Sequence, residues 1–372
     1  MKKLIYILIA VALVVACAPK EEKSAQDISR EIAGEILLKD YDPVSIFNIP
    51  TTHVEKAKYG VIDMHSHDYN NADPELIDQW VRTMDECGIR HTHVMHCEWI
   101  GADFEESIKA YGKYPDRFSV WCAIDYTDFE AEDWEERAKA HLARCKQMGA
   151  FGIGEMVDKG VGDVYARPVK GYNIHLDHPK MQSVLEYAGE LGMPISIHVG
   201  EPIWMYEPID KHNDGLMNGA NWFVDTSAEN CYDYDEVMEC FVKAAKAHPN
   251  TQFIACHYLN MNQDYPRLGA IMDECPNVWI DIAARVAESA ATPRATRRFL
   301  EKYADRIFFG TDNGTDAQMY HTVFRFLETD DEHIYCPSFG YHWPLDAFDL
   351  SDDVLRKIYY KNAERLVKIL NK

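Results

Sequence analysis

The chain is short of positive charge, of closely paired cysteines and of long apolar runs, and each shortage removes a class of function. Its 38 lysines and arginines stand against 61 aspartates and glutamates, a formal net charge of −23. Such a surface is repelled by phosphate backbones and anionic membranes, which excludes nucleic acid as a partner. Ten cysteines are present, yet no two stand at CxxC spacing, so the usual structural-zinc and thioredoxin-type motifs are missing. Several sit inside apolar runs (Cys122 in FSVWCAI, Cys256 in FIACH) and read as core thiols. No Gly-rich dinucleotide fingerprint follows any β-rich run, which weakens a Rossmann reading. The one marked hydrophobic stretch, Leu4 to Ala16, is shorter than the about 20 residues a membrane-spanning helix needs. Behind Lys2 and Lys3 it reads as the core of a signal peptide over residues 1–16.

The end of that stretch, Val14-Val15-Ala16-Cys17, resembles a bacterial lipobox. The resemblance implies that Cys17 is acylated and becomes the mature N-terminus. Ala18 in the next position implies the outer membrane, on either face. Residues 17–54 then form a polar tether and extension, and the lipid on Cys17 is the only expected membrane contact. Residues 55–372 are enough for one large domain with a full core.

Within that domain, eight short β-rich runs alternate with amphipathic stretches. The runs are GVIDMHSH (60–67), HTHVMHCEW (91–99), FSVWCAIDY (118–126), AFGIGEM (150–156), PISIHVG (194–200), TQFIACHY (251–258), NVWIDIAAR (277–285) and RIFFGTD (306–312). Pro74, Pro179 and Pro293 suit the first turns of the helices between them. Eight strand–helix units in about 300 residues predict an α/β fold, a (β/α)8 TIM barrel. Extra length falls after the fourth and fifth strands, on the face where such barrels build their sites. A last amphipathic segment, 352–370, predicts a helix outside the barrel.

VIDMHSHDYN places His65 and His67 on one face of the first strand, roughly 7 Å apart. The fourth run delivers Glu155 at its end, the fifth His198, the sixth His257 and the eighth Asp312. Imidazoles and carboxylates are the usual donors to Zn²⁺ and related ions, and their convergence at one end of one barrel points to a metal site. Asp63, also on the first strand, reads as an orienting carboxylate, and His91, His93 and His96 as structural.

His-x-His on strand 1, His on strands 5 and 6 and Asp on strand 8 resemble the amidohydrolase superfamily. RIFFGTDNG and KIYYKNAERLV resemble its amidohydrolase-related branch, with lactonases and aminocarboxymuconate-semialdehyde-type decarboxylases, over about residues 58–370. The resemblance implies that His65, His67, His198 and Asp312 hold a divalent ion, with zinc expected and manganese the alternative. His257 then either polarises the substrate or helps bind a second ion, with Glu155 bridging the two. Asp312 is the implied general base and acid. Arg285, Trp204, Trp222 and Tyr206 are candidate substrate contacts, with Lys170, His175 and Trp99 fainter ones.

The expected activity is hydrolysis of a small lactone, ester or amide by metal-activated water. A decarboxylase or hydratase on the same barrel is the alternative, and a non-catalytic binding lipoprotein the second.

Overall fold

Short apolar runs buried on both faces are what a parallel barrel demands of its strands, and the chain supplies them in sequence order. They are β1 (Val61–His67), β2 (Ile89–Met95), β3 (Phe118–Val120), β4 (Ile153–Asp158), a short hairpin of β5 (Asp163–Tyr165) and β6 (Gly171–Tyr172), then β7 (Ile195–Val199), β8 (Phe253–Ala255), β9 (Val278–Asp281) and β10 (Ile307–Phe308). The computed structural model describes residues 23–371 except 98–99, 166–170, 173, 228–230 and 337–338. The expected signal peptide, Cys17, Trp99 and Lys170 therefore lie outside the described residues.

β1-β2-β3 and β10-β9-β8-β7-β4 pair in parallel as two arcs. A parallel bridge between Cys122 and Ile153 joins them on one side. On the other, Met64 N–H donates to Phe309 O at 2.9 Å and Asp312 N–H to His65 O at 2.9 Å. The ring closes: this is the expected (β/α)8 barrel. β3, β8 and β10 are shorter than their apolar runs, because the ends of those runs turn away to build the mouth. The antiparallel hairpin β5–β6 fills part of the extra length after β4.

Helix signals act where the sequence places them. In Pro74–Cys87 the Asp73 carboxylate caps the Glu75 and Leu76 amides, Pro74 opens the first turn and Gly88 closes the helix at φ 85°. Ile77, Trp80, Met84 and Cys87 form its buried stripe against the strands. Tyr234–Ala247 begins with a reciprocal capping box between Asp233 and Glu236.

The C-terminal segment is more intimate with the barrel than a helix outside it. Ala363 and Leu366 are buried with Met64, Met95, Ile254, Trp279 and Phe308. Val367 and Lys368 lie beside Arg90, His91 and Phe151 at the strands' N-terminal ends. This helix thus closes the barrel opposite the mouth, its apolar stripe buried against that cluster.

The chain divides into two compact units at Pro43 and Val44. The described part of the first contains an exposed helix, Ala25–Glu35, capped by Ser24. The second is the barrel. Among the described residues no helix is long and apolar enough to cross a membrane.

Candidate metal centre

Six side chains predicted from five strand ends meet in the mouth. His67 Nε2 lies 3.3 Å from Glu155 Oε2 and 3.3 Å from Asp312 Oδ1. His65 Nε2 lies 3.6 Å from Glu155 Oε1 and 3.7 Å from Asp312 Oδ1. Glu155 Oε1 also faces His198 Nδ1 at 3.4 Å and His257 Nε2 at 3.3 Å. The donor atoms of His65, His67 and Asp312 fall within 4.8 Å of one another, and so do those of His65, Glu155, Cys256 and His257.

The second ring nitrogens decide what this arrangement can hold. His65 Nδ1 bonds Asp281 Oδ2 at 2.9 Å, His67 Nδ1 faces Met95 O at 3.3 Å, and His257 Nδ1 bonds Ala283 O at 2.9 Å. Carbonyls and ionised carboxylates only accept, so each Nδ1 carries the proton and each Nε2 presents a lone pair. Those lone pairs point at carboxylate oxygens. Lone pair against oxygen in a buried site is unfavourable unless a cation lies between them. His65 Nε2 and Glu155 Oε1 are indeed buried without hydrogen-bond partners, while His198 turns Nδ1 to Glu155 and Nε2 to Glu201. The residues fit a divalent cation.

Protons can take that place when no metal does. Burial would lower the His67 pKa, but the hydrogen bonds to Asp312 and Glu155 outweigh it and raise it to about 9. For Asp312, burial is outweighed by the hydrogen bond to His67 and by the His65 charge, which lower its pKa to about 2. Glu155 is held well below the usual carboxylate range, as burial is overcome by the histidines around it.

Backbone strain presents two of these groups. His257, Tyr258, Leu259 and Asn260 all adopt left-handed φ between 47° and 61°, and Asp312 has φ 59°. Each such non-glycine residue costs roughly 1–2 kcal/mol. Asn260 ties the turn down: its Nδ2 donates to Val199 O and Gly200 O at 3.1 Å each, and its Oδ1 accepts from Arg285 Nε at 2.8 Å. Asp281 Oδ1 receives the His257 amide at 2.8 Å. Tyr69 Oη donates to Asp312 O at 2.8 Å and approaches Oδ1 at 3.2 Å.

A cavity of about 320 Å³ opens over the donors, lined by Tyr69, Lys159, Glu201, Asn218, Trp222 and Arg285 among others. Trp204 and Tyr206 are not among its lining residues. Trp204 packs edge-on to Tyr341, and the Tyr206 hydroxyl donates to Lys159 O at 2.9 Å and accepts from the Glu201 amide at 3.2 Å. Trp222 is 55 % exposed, with Lys159 Nζ 5.2 Å from its ring centre. Arg285 lines the cavity with partners in the protein: Nε donates to Asn260 Oδ1, Nη1 to Ala284 O at 2.9 Å, and Nη2 lies 3.5 Å from Glu201. His175 stacks on Tyr232 and pairs with Asp158 at 3.1 Å.

Asp63 departs from simple strand alternation. The β1–β2 register shifts between Asp63 and Ser66, and the Asp63 carboxylate bonds Thr311 Oγ1 at 2.8 Å and Tyr320 Oη at 3.2 Å. It orients structure, as do His93 and His96: His93 Nδ1 accepts from Trp121 Nε1, and His96 Nδ1 bonds Trp121 O.

Sequence reasoning missed Asp281, Glu201, Lys159, Tyr69 and Asn260. Glu201 stands 3.4 Å from His198 Nε2 and 2.5 Å from Lys159 Nζ. Two signals were present: Asp281 ends the apolar run NVWID, and Glu201 follows His198 by three residues.

A sequence profile of the amidohydrolase family matches residues 62–369. No curated protein matches the chain. Among solved structures, an uncharacterized TIM-barrel protein from Bordetella bronchiseptica is 16 % identical with TM-score 0.53, over 84 % of this chain and 99 % of its own. A 2,6-dihydroxybenzoate decarboxylase from Rhizobium is 16 % identical with TM-score 0.51, over 84 % and 99 %. A dihydroxybenzoic acid decarboxylase from Polaromonas, solved with manganese and 2-nitroresorcinol, is 17 % identical with TM-score 0.51, over 84 % and 98 %.

Proposed function

The chain belongs to the amidohydrolase family, and on that premise we propose that it is a divalent-metal-dependent hydrolase of a small lactone, ester or amide. The observation that carries this reading is the way Glu155 divides its oxygens. Oε2 faces His67, while Oε1 faces His198 and His257 and also His65, which stands between the two groups. A carboxylate so placed suits a bridge between two ions, and paired ions suit attack by water on an acyl carbon. His65, His67 and Asp312 would hold one ion, His198 and His257 the other, of zinc or manganese.

When bound, a divalent cation supplies the charge that acidifies water and polarises a carbonyl. The chain's own groups handle the proton. Asp312 is ionised, steadied by Tyr69, and is the base that takes a proton at its carboxylate and returns it to the leaving group. Should the site hold a single ion, His257 would polarise the acyl oxygen only as the imidazolium, with a proton on Nε2 as well as on Nδ1. Lys159 and Glu201 pair on the cavity wall, so the neutral pair leaves room for an uncharged acyl substrate.

The rival reading is decarboxylation, favoured by the likeness to dihydroxybenzoate decarboxylases, one of them with manganese. It asks for a free cation to grip a substrate carboxylate, and Arg285 already has protein partners. The test is elemental analysis of wild type and Glu155→Ala, with a lactone, ester, amide and aromatic-acid panel assayed for acid and CO₂ release. Two metal equivalents, falling to one or none without Glu155, and acid release without CO₂ are expected. CO₂ release without hydrolysis refutes the proposal, and so does protein that takes up no metal.

A further inference from the structure

Beside the metal centre lies one reactive group that the hydrolytic reading leaves unused. Cys256 follows β8, and its sulfur falls within 4.8 Å of donor atoms on His65, Glu155 and His257, which lie within that distance of one another too. The apolar run FIACH marks it as a core thiol, and the residue is fully buried. Its direction does not follow from that run. Neighbours on an extended strand point to opposite faces, so Cys256 and His257 should part. β8 instead stops at Ala255, and the left-handed turn that includes His257 (φ 61°) brings the sulfur and the imidazole into one group.

Three observations separate this sulfur from an ordinary core thiol. Glu155 Oε1 and His65 Nε2 are both buried without hydrogen-bond partners and stand 3.6 Å apart, and His257 Nε2 is 3.3 Å from the same oxygen. With the protons of His65 and His257 held on Nδ1 by Asp281 and Ala283 O, two imidazole lone pairs and a carboxylate oxygen converge in the group that holds the sulfur. Second, Ser196 Oγ lies 3.1 Å from Cys256 Sγ. A hydroxyl can turn to donate, which is what a metal-bound thiolate asks of its surroundings. Third, Cys256 is not among the residues that line the cavity over the donors. It reaches them from the closed side, so a bond to it leaves the cavity side open for water and substrate, as a catalytic centre requires. Burial raises the thiol pKa while no cation is present; coordination removes the proton outright.

We propose that Cys256 is a sulfur ligand of the metal centre, on the Glu155 Oε1 and His257 side, and that it makes the centre select zinc over manganese. This rests on the metal-dependent reading of the mouth and adds a donor to it. On binding, the S–H bond breaks, the sulfur's electron pair forms the bond to the cation, and the proton leaves to solvent. The sulfur is neither oxidised nor reduced. Thiolate is a soft donor that suits zinc, whereas manganese prefers carboxylate, carbonyl and water oxygens. Imidazoles and carboxylates alone separate the two ions less, so the preference of this centre is carried by one buried sulfur.

The test titrates chelator-treated full-length protein with cobalt(II), a spectroscopic stand-in for zinc, and follows absorption. Expected is a thiolate-to-cobalt charge-transfer band in the near ultraviolet that grows with the cobalt bound. Cys256→Ser should still bind cobalt and lack the band. In zinc–manganese competition the preference of wild type for zinc should fall about tenfold or more in Cys256→Ser. Cadmium NMR of the wild type needs no variant: a thiolate ligand moves the cadmium resonance far downfield of a site built from nitrogen and oxygen alone. Cobalt bound without the band, a band that Cys256→Ser retains, or a cadmium resonance in the nitrogen–oxygen range overturns the assignment of Cys256 and leaves the metal-dependent reading in place. Protein that binds no cobalt, zinc or manganese overturns both.

Discussion

The Asp281→Asn variant tests the logic of the metal centre most directly, because it changes one oxygen and leaves the shape alone. Asp281 Oδ1 accepts two backbone amides, His257 at 2.8 Å and Ala283 at 3.0 Å, and Oδ2 accepts from His65 Nδ1 at 2.9 Å. The amide oxygen of the variant can keep both backbone bonds. Its NH₂ group then faces His65 Nδ1, donor against donor. The cheapest repair is a switch of tautomer, with Nδ1 accepting and the proton moving to Nε2, the nitrogen turned toward Glu155 and Asp312. A protonated Nε2 cannot bind an ion. Loss of such a supporting carboxylate typically lowers metal affinity about 10–100-fold, or roughly 1.4–2.7 kcal/mol. The metal-free protein should lose only about 1 kcal/mol of stability, since no buried amide is orphaned. Competition with a chromophoric chelator reads the affinity, and urea unfolding of the metal-free protein reads the stability. Equal metal affinity in variant and wild type would refute the tautomer argument. A stability loss of several kcal/mol would show that Asp281 holds the mouth together in its own right.

Three further outcomes are expected. In metal-free protein the His67 pKa, 6.5 as its ordinary value, is raised to about 9; the stability this supplies is complete below about pH 6.5 and disappears as pH rises to 9. Urea midpoints from pH 6 to 10 should therefore fall across that window, and metal affinity should rise through it, since binding displaces the proton. Asn260→Ala removes three buried hydrogen bonds from a left-handed turn and is expected to cost about 2–4 kcal/mol by chemical unfolding, with weaker metal binding as His257 shifts. Cys17→Ser expressed in a Gram-negative host should move the protein from the membrane to the soluble fraction after cell fractionation; retention in the membrane would rule out a lipid anchor at Cys17.

Much of this protein could be read from local pattern because its chemistry sits at strand ends. A strand end is marked twice in sequence, by the apolar run that precedes it and by the polar residue that breaks it. His65, His67, Glu155, His198, His257 and Asp312 all carry that mark, and the barrel brings them together. Their meeting point follows from closure of the ring, since every parallel strand delivers its C-terminal end to the same face. The strand–helix alternation, the proline signals and the extra length after β4 and β7 were legible for the same reason: each depends on neighbours along the chain.

What tertiary structure decided depends on register and on direction. Asp63 has the spacing of a strand neighbour of His65, yet a register shift turns its carboxylate to Thr311 and Tyr320. Trp204 and Tyr206 share the aromatic loop with Trp222, but only Trp222 lines the cavity, because loop packing has no period to read. Arg285 stands at the expected strand end with its Nε and Nη1 donors held by Asn260, 25 residues earlier, and by Ala284 O. The tautomers of His65, His67 and His257 rest on acceptors from β9, β2 and the loop after β9. Sequence by itself determined which atoms could bind a cation and at which end of the barrel. Only the folded chain decided which nitrogen of each ring faces the ion, because hydrogen-bond direction belongs to pairs of residues that the chain joins in space.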